Sequence, residues 1–131
     1  MQRTAVNPWN WSQALGYNQG EIIQDVKRQL ICSGQTSVDD KGNPQHLENM
    51  RMQMDLALNN LDAVLNNAEM TLTNISKLSI FTTDVDETMK NFDILGAKFG
   101  QVSATPTMTL VEVTRFAVPG LMFEVEAIAF D

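Results

Sequence analysis

The sequence has 131 residues, of which 44% are hydrophobic and 19% are charged, and its formal net charge is −7. This length suits one domain, and the composition is that of a folded protein rather than a disordered one. Nine basic residues against sixteen acidic ones, without a basic cluster, argue against nucleic acid and anionic membranes as partners. We therefore predict a single domain over residues 1–131 with no nucleic-acid or membrane partner.

The sulfur and imidazole content limits the possible metal and redox chemistry. Cys32 is the only cysteine and His46 the only histidine, which excludes an intrachain disulfide and leaves no ligand set for a zinc ion. We expect Cys32 to be a buried structural residue. No glycine-rich phosphate motif, secretory leader or apolar run of about 20 residues is visible. The expectation is a soluble cytoplasmic protein without metal or cofactor.

The N-terminal half contains one long helix. Residues 1–20 mix polar and aromatic side chains with Pro8 and Gly16, which predicts an ordered arm without regular structure. Residues 26–33 predict a strand that ends at Gly34. Between residues 47 and 68, apolar side chains recur every three or four positions, as in a helix. The members of this stripe are Met50, Met54, Leu58, Leu61 and Leu65.

The C-terminal half alternates a helix with strands. Residues 75–82 predict a strand, and Asp86 is the expected N-cap of a second helix that ends near Gly100. Residues 107–115 predict another strand, and Pro119-Gly120 turns the chain into a last one. One face of this last strand is small and apolar, whereas the other carries two carboxylates and three large apolar side chains. These five are Met122, Glu124, Glu126, Ile128 and Phe130.

This order of elements predicts an α+β fold. Helices that connect strands by right-handed crossovers produce a mixed β-sheet with both helices packed on one face. The other face would expose the half-apolar side of the last strand, and such a surface is typical of a subunit interface. We therefore predict an oligomer.

Three glutamates on the last two predicted strands are candidates for catalysis. Glu112, Glu124 and Glu126 would converge on one face if these strands pair, and two carboxylates with separated pKa values can perform acid–base catalysis. The alternative is that all three are ordinary solvated strand residues. The sequence pattern leaves both interpretations open.

Five segments together resemble the Rid family, the reactive intermediate deaminases also called the YjgF family. They occur in the family's order and spacing from about residue 13 to the C-terminus. The segments are Gly16-Tyr17-Asn18-Gln19-Gly20, Cys32-Ser33-Gly34-Gln35, residues 58–65 (LNNLDAVL), Val111-Glu112-Val113-Thr114-Arg115 and residues 123–129 (FEVEAIA). The resemblance implies a chorismate-mutase-like fold and a homotrimer with a small-molecule ligand in each of three inter-subunit clefts.

The resemblance also implies an activity and its residues. Active family members hydrolyse enamines and imines without a cofactor; an arginine holds the substrate carboxylate and a glutamate handles the proton. Tyr17, Ser33 and Glu124 match the family's catalytic positions, and we expect Met108, Leu110 and Phe92 to contact the substrate. Two smaller departures are Glu69, where the family usually has glycine, and Phe92, where an asparagine is common.

The family's arginine is missing. It should follow Pro106 by two positions, where this chain has Met108, which has neither charge nor hydrogen-bond donor. Arg115 lies seven residues away, so in a regular strand it faces the other way. The resemblance therefore implies an arginine-less branch without the usual 2-imino acid deaminase activity. A hydrolase of another small molecule and a non-catalytic trimer that binds a metabolite or partner both remain possible functions.

Overall fold

Six strands and three α-helices make up the fold. The computed structural model describes residues 1–131, and their elements in chain order are β1 (Gln2–Val6), β2 (Gly20–Gln24), β3 (Gln29–Gln35), α1 (Met50–Asn67), β4 (Ile75–Thr82), α2 (Val85–Lys90), α3 (Asp93–Gln101), β5 (Thr107–Glu112) and β6 (Phe123–Phe130). The α+β class expected from the sequence is confirmed. None of the helices combines the length and apolar character that crossing a membrane requires.

The main sheet is mixed and has the strand order β3-β6-β4-β5. β4 and β5 run parallel, as their helical crossover demands, whereas β6 is antiparallel to both of its neighbours. On one face, Leu78 and Ile80 of β4 and Phe123 and Val125 of β6 are fully buried in a core shared with the helices. The opposite face, which we call the open face, is not covered within the chain.

Helix α1 supplies most of the helical side of this core. Asn49 caps its first turn, since the Asn49 side chain accepts a hydrogen bond from the Met52 amide at 3.0 Å. The predicted stripe from Met50 to Leu65 is buried throughout, as expected from its spacing. The helix is followed by Glu69 in the left-handed region at φ 59°, the conformation that glycine adopts most easily.

The N-terminal arm is not free of regular structure, and that prediction was wrong. β1 pairs antiparallel with β2 to form a separate two-stranded sheet. Arg3 donates within this sheet to the Glu21 carboxylate at 2.8 Å, and it holds the sheet to the rest of the fold by donating to the Ile75 carbonyl at 2.8 Å. The pairing joins segments separated by a long loop, so neither a hairpin-turn signal nor local periodicity announces it.

Strand β3 begins later and ends later than predicted. Asp25 adopts a left-handed φ of 54°, which turns the chain before the strand. The register with β6 then shifts between Cys32 and Gln35, so the chain passes Gly34 as an irregular stretch within the strand instead of stopping there. Cys32 is buried, as expected, and burial raises the pKa of its thiol.

The second predicted helix is divided into α2 and α3, and Asp84 rather than Asp86 is its N-cap. The Asp84 carboxylate accepts the Glu87 amide at 3.0 Å. At the break, the Asn91 side chain donates to the Glu87 carbonyl at 2.8 Å. In a continuous helix, this carbonyl would accept a hydrogen bond from the backbone amide of Asn91 instead. A side-chain hydrogen bond therefore replaces a helical one at the point where the helix stops.

The last two strands are not neighbours. β4 lies between β5 and β6, and β5 ends at Glu112 rather than at residue 115. The sequence suggested direct pairing because Pro119-Gly120 resembles a hairpin turn. Instead, the buried side chain of Gln53 anchors the connection: its amide donates to the Gly120 carbonyl at 3.0 Å and accepts from the Met122 amide at 2.8 Å.

Candidate active site

Glu124 lies on the open face of the sheet, as the second residue of β6. Its side chain passes directly over Gly34 of β3: a Cβ on residue 34 would lie 2.6 Å from Glu124 Cδ and 2.8 Å from Cγ. Only glycine leaves room for the carboxylate in this position. The Glu124 carboxylate forms no ion pair. Burial, and secondly the negative charge of Glu126, raise its pKa above the ordinary value of 4.5.

Ser33 lies on β3, the strand next to the one that carries this carboxylate. It immediately precedes Gly34 within the irregular stretch of β3, and its side chain is exposed. The Ser33 carbonyl is occupied by a hydrogen bond from the Gln35 side chain at 3.2 Å. The structure therefore brings Ser33 and Glu124 to the same region of neighbouring strands, as the resemblance implied.

Glu112 does not join them. It ends β5, where its carboxylate accepts the Val85 amide at 3.1 Å and satisfies one of the free donors at the start of α2. The three glutamates do not converge, because β5 and β6, whose pairing this convergence required, are separated by β4. Glu124 and Glu126, two residues apart on one face of β6, are the pair that remains.

Tyr17 lies in another part of the molecule. Asn18 fixes the loop that carries it to the start of β5: the Asn18 amide donates to the Pro106 carbonyl at 3.3 Å and its side chain to the Thr105 hydroxyl at 3.2 Å. The Trp11 ring meets Tyr17 edge to face, with centroids 6.1 Å apart. This anchoring places the loop beside Met108.

Met108 lines a cavity of about 260 Å³, which we call the Met108 pocket. Phe92 of the α2–α3 junction and the loop residues Leu15 and Gly16 line it as well. Leu110 does not, since it packs into the core two residues further along β5. Of the three expected substrate contacts, the structure thus brings Met108 and Phe92 together and leaves Leu110 outside the pocket.

Met108 and Glu124 lie on opposite faces of the sheet. Met108 is paired with Leu78 of β4, which is buried beneath the helices. Glu124 is paired with Phe81, which is three residues from Leu78 and so points to the other face. Within one chain, the glutamate and the position of the missing arginine therefore do not share a pocket. They can meet only if two copies of the chain each contribute one of them.

Arg115 shares the face of Glu124. Because β5 ends at Glu112, Arg115 belongs to the following loop, and it lines a recess of about 320 Å³ on the open face. The other residues of this recess are Phe81, Val113, Phe116, Ala117, Glu124 and Glu126. The guanidinium of Arg115 forms no ion pair within the chain. It lies on the other side of the sheet from Met108, as strand parity predicted, and so does not replace the arginine there.

Sequence reasoning missed part of the Met108 pocket. Gly96 and Gly100 of α3 line it together with Leu15 and Gly16. The available signal was two glycines four residues apart in a helical segment, because such a pair lies on one face and weakens the helix. As for metals, no three histidine, cysteine or carboxylate side chains are grouped so that they could hold an ion.

Comparisons with known proteins agree with this fold. Residues 11–131 match the family described as endoribonuclease L-PSP. The Rid-family protein YyfB of Yersinia pestis has a TM-score of 0.86 at 23% identity, covering 100% of both chains. A second Rid-family protein of that organism, YyfA, has a TM-score of 0.72 at 28% identity, over 99% of this chain and 100% of its own.

A third similar structure holds a ligand. The E. coli protein TdcF, with bound serine, has a TM-score of 0.71 at 27% identity, over 88% of this chain and 87% of its own. No curated protein matches the chain at a significant level. Since the family match covers almost the whole sequence and the solved Rid proteins share its fold, the chain belongs to the Rid (YjgF) family.

Proposed function

We propose that this protein is a hydrolase of the imine or enamine type, in which Glu124 is the acid–base group. The observation that carries the proposal is the carboxylate itself: it is half-buried over Gly34, has no cationic partner and has a raised pKa. A carboxylic acid that stays partly protonated closer to neutrality can give a proton to a leaving nitrogen and take one from water. A fully solvated glutamate would not have its pKa raised by burial.

The reaction would be completed by a second subunit. Because Met108 and Glu124 lie on opposite faces of one chain, the proposal requires clefts between copies, with Glu124 from one subunit and the Met108 pocket, with Tyr17, from another. The open face supports this assembly through its mixture of apolar and charged side chains, as does the family to which the chain belongs. We propose a single-domain homotrimer that acts in the cytoplasm without metal or cofactor.

The proposed chemistry is the addition of water to a C=N bond. As water attacks the carbon, Glu124 takes one of its protons and passes it to the nitrogen, which gives a carbinolamine. Glu124 then takes the hydroxyl proton of the carbinolamine and gives it to the nitrogen as the C–N bond breaks, so that ammonia leaves and a C=O bond remains. Ser33, exposed beside Gly34, would hold the attacking water or the substrate.

An imine-trapping assay tests the proposal. Imines generated in place by an amine oxidase or an amino-acid oxidase are trapped with semicarbazide, and acceleration of their hydrolysis is measured as lost trapping. We expect Glu124→Gln to lower the rate by about 10²–10⁴-fold. The matched control is Glu126→Gln, on the same strand and face, for which we expect less than a tenfold loss and a pH profile moved to lower pH. Equal rates for the wild type and Glu124→Gln would overturn the assignment of Glu124.

The second candidate function is a non-catalytic trimer that binds a metabolite or a partner. Met108 favours this second function. Its side chain is uncharged, whereas the active members of the family have at this position an arginine that binds the substrate carboxylate. The serine bound to TdcF shows that a protein 27% identical to this one was solved with a small molecule. Saturable binding of a small molecule without acceleration of any imine hydrolysis would select this function over the first.

A further inference from the structure

We propose that the Met108 pocket binds the apolar part of an uncharged small molecule, about one ring in size. The pocket lies between α3, the start of β5 and the loop before β2, on the helix side of the sheet. Its side-chain walls are Leu15, Phe92, Leu95, Phe99 and Met108. This inference names the substrate class of the proposed cleft and so rests partly on the proposed function, although the binding itself requires no chemistry.

Three glycines line the pocket. A Cβ on Gly16, Gly96 or Gly100 would meet no atom within 4 Å, so each glycine borders empty space instead of accommodating a close neighbour. Gly96 and Gly100 are four residues apart and therefore on the same side of α3. Glycine weakens a helix, and nothing in the packing of these two positions requires it. Glycine at these two positions is explained if the space beside them is used.

The uncharged lining of the Met108 pocket favours an uncharged ligand. No charged side chain lines the pocket, and its only side-chain hydroxyls are those of Ser103 and Thr105. A carboxylate placed against Met108 would lose its hydration without gaining a cation, which is unfavourable. A neutral apolar group instead gains by leaving water. The pocket thus selects against the anionic group that an arginine at position 108 would hold.

The volume sets the size of the occupant. About 260 Å³ is larger than the roughly 150 Å³ that accepts benzene in an apolar cavity, and smaller than the pockets of most drug-sized ligands. A single six-membered ring with a short polar substituent fits this range. The substituent would lie toward the mouth of the pocket, where a neighbouring subunit brings Glu124 in the proposed assembly.

A pair of probes that differ only in charge tests the inference. Benzamide and benzoate have the same ring, and binding to the full-length protein is followed by the ¹³C shift of the Met108 methyl group, assigned with Met108→Leu. We expect saturable binding of benzamide, with benzoate at least about tenfold weaker. Benzoate binding equal to that of benzamide would overturn the proposal. So would the absence of saturable benzamide binding, which is the outcome if a second copy of the chain fills the pocket.

Two variants locate the binding in the pocket. Gly96→Leu fills the space and should abolish benzamide binding, whereas Ala97→Leu adds the same side chain to the exposed side of α3 and should leave it unchanged. Circular dichroism establishes that both are folded, and Gly96→Ala provides a smaller change if Gly96→Leu does not fold. Unchanged benzamide binding by Gly96→Leu or, failing that, by Gly96→Ala would overturn the proposal.

Met108→Arg reverses the charge preference. The new guanidinium can bind a carboxylate through two parallel hydrogen bonds, so we expect benzoate to bind more tightly than benzamide in this variant. An unchanged preference in the folded variant would contradict the role given to Met108. If the protein binds benzamide but does not accelerate imine hydrolysis, this inference is supported and the proposed hydrolase activity is contradicted. If it accelerates imine hydrolysis but does not bind benzamide, the hydrolase activity is supported and this inference is contradicted.

Discussion

The side chain of Glu124 lies so close to the Cα of Gly34 that a methyl group on residue 34 would approach Glu124 Cγ to 2.8 Å. The two residues belong to neighbouring antiparallel strands, at the point where the β3–β6 register shifts. The irregular register and the missing side chain together create the space in which the carboxylate lies. The candidate catalytic position therefore depends on a residue that has no functional group of its own.

Gly34→Ala should separate function from folding. The atoms that the new methyl group meets belong to the flexible side chain of Glu124, so the carboxylate can move away while the strands stay paired. We expect a loss of about 1 kcal/mol or less in the free energy of unfolding, with loss of most Glu124-dependent activity. Gly20→Ala is the control, because its methyl would make an ordinary 3.5 Å contact with Val6. Urea unfolding and the imine-trapping assay measure the two effects, and full activity in Gly34→Ala would contradict the prediction.

The raised pKa of Glu124 predicts a pH-dependent stability. A carboxyl whose pKa is higher in the folded state binds more protons folded than unfolded between the two values, so its ionisation destabilises the fold as pH rises through that window. Glu124→Gln should therefore gain stability relative to the wild type as pH rises from below 4.5 toward neutrality. Urea unfolding at several pH values measures this difference. An NMR titration that places the Glu124 pKa at or below 4.5 would refute the prediction.

Glu69→Gly should stabilise the protein. Glu69 holds a left-handed φ of 59° just after α1, where the Met70 amide donates to the Leu65 carbonyl at 2.9 Å. A residue with a Cβ pays roughly 1 kcal/mol for this conformation and glycine does not. We expect the free energy of unfolding to rise by up to about 1 kcal/mol. As a control, glycine inside the helix, in Asn66→Gly, should lower the free energy of unfolding. A loss of stability in Glu69→Gly would contradict the prediction, because it would show that the Glu69 side chain stabilises the fold by more than the left-handed backbone conformation destabilises it.

The open face should be the surface through which copies associate. Ile31 is 73% exposed and is paired with Ile128 across β3 and β6, which places both on this face. We expect sedimentation equilibrium to give three times 14.6 kDa for the wild type, and a shift toward the monomer for Ile31→Glu. Met52→Glu, at an exposed position of α1 on the helix side, should leave the trimer intact. A monomeric wild type at micromolar concentration would contradict the proposed assembly.

The sequence by itself determined the elements whose pattern is local. The apolar stripe from Met50 to Leu65 defined α1, because a helix face repeats every three or four residues. The alternation along residues 75–82 and 123–130 defined β4 and β6 and the face that each buries. The five family-like segments indicated the Rid family, and the missing arginine at Met108 was visible in the sequence.

Only the tertiary structure decided which faces meet. Strand order and register decide three features of the site. β4 separates β5 from β6, Met108 and Glu124 point to opposite sides of the sheet, and Gly34 leaves room for the Glu124 side chain. The pairing of β1 with β2 is likewise a feature that only the tertiary structure decides. Periodicity fixes which side chains of one strand share a face, but the neighbour that this face receives is set by contacts between residues far apart in the chain, which no local pattern encodes.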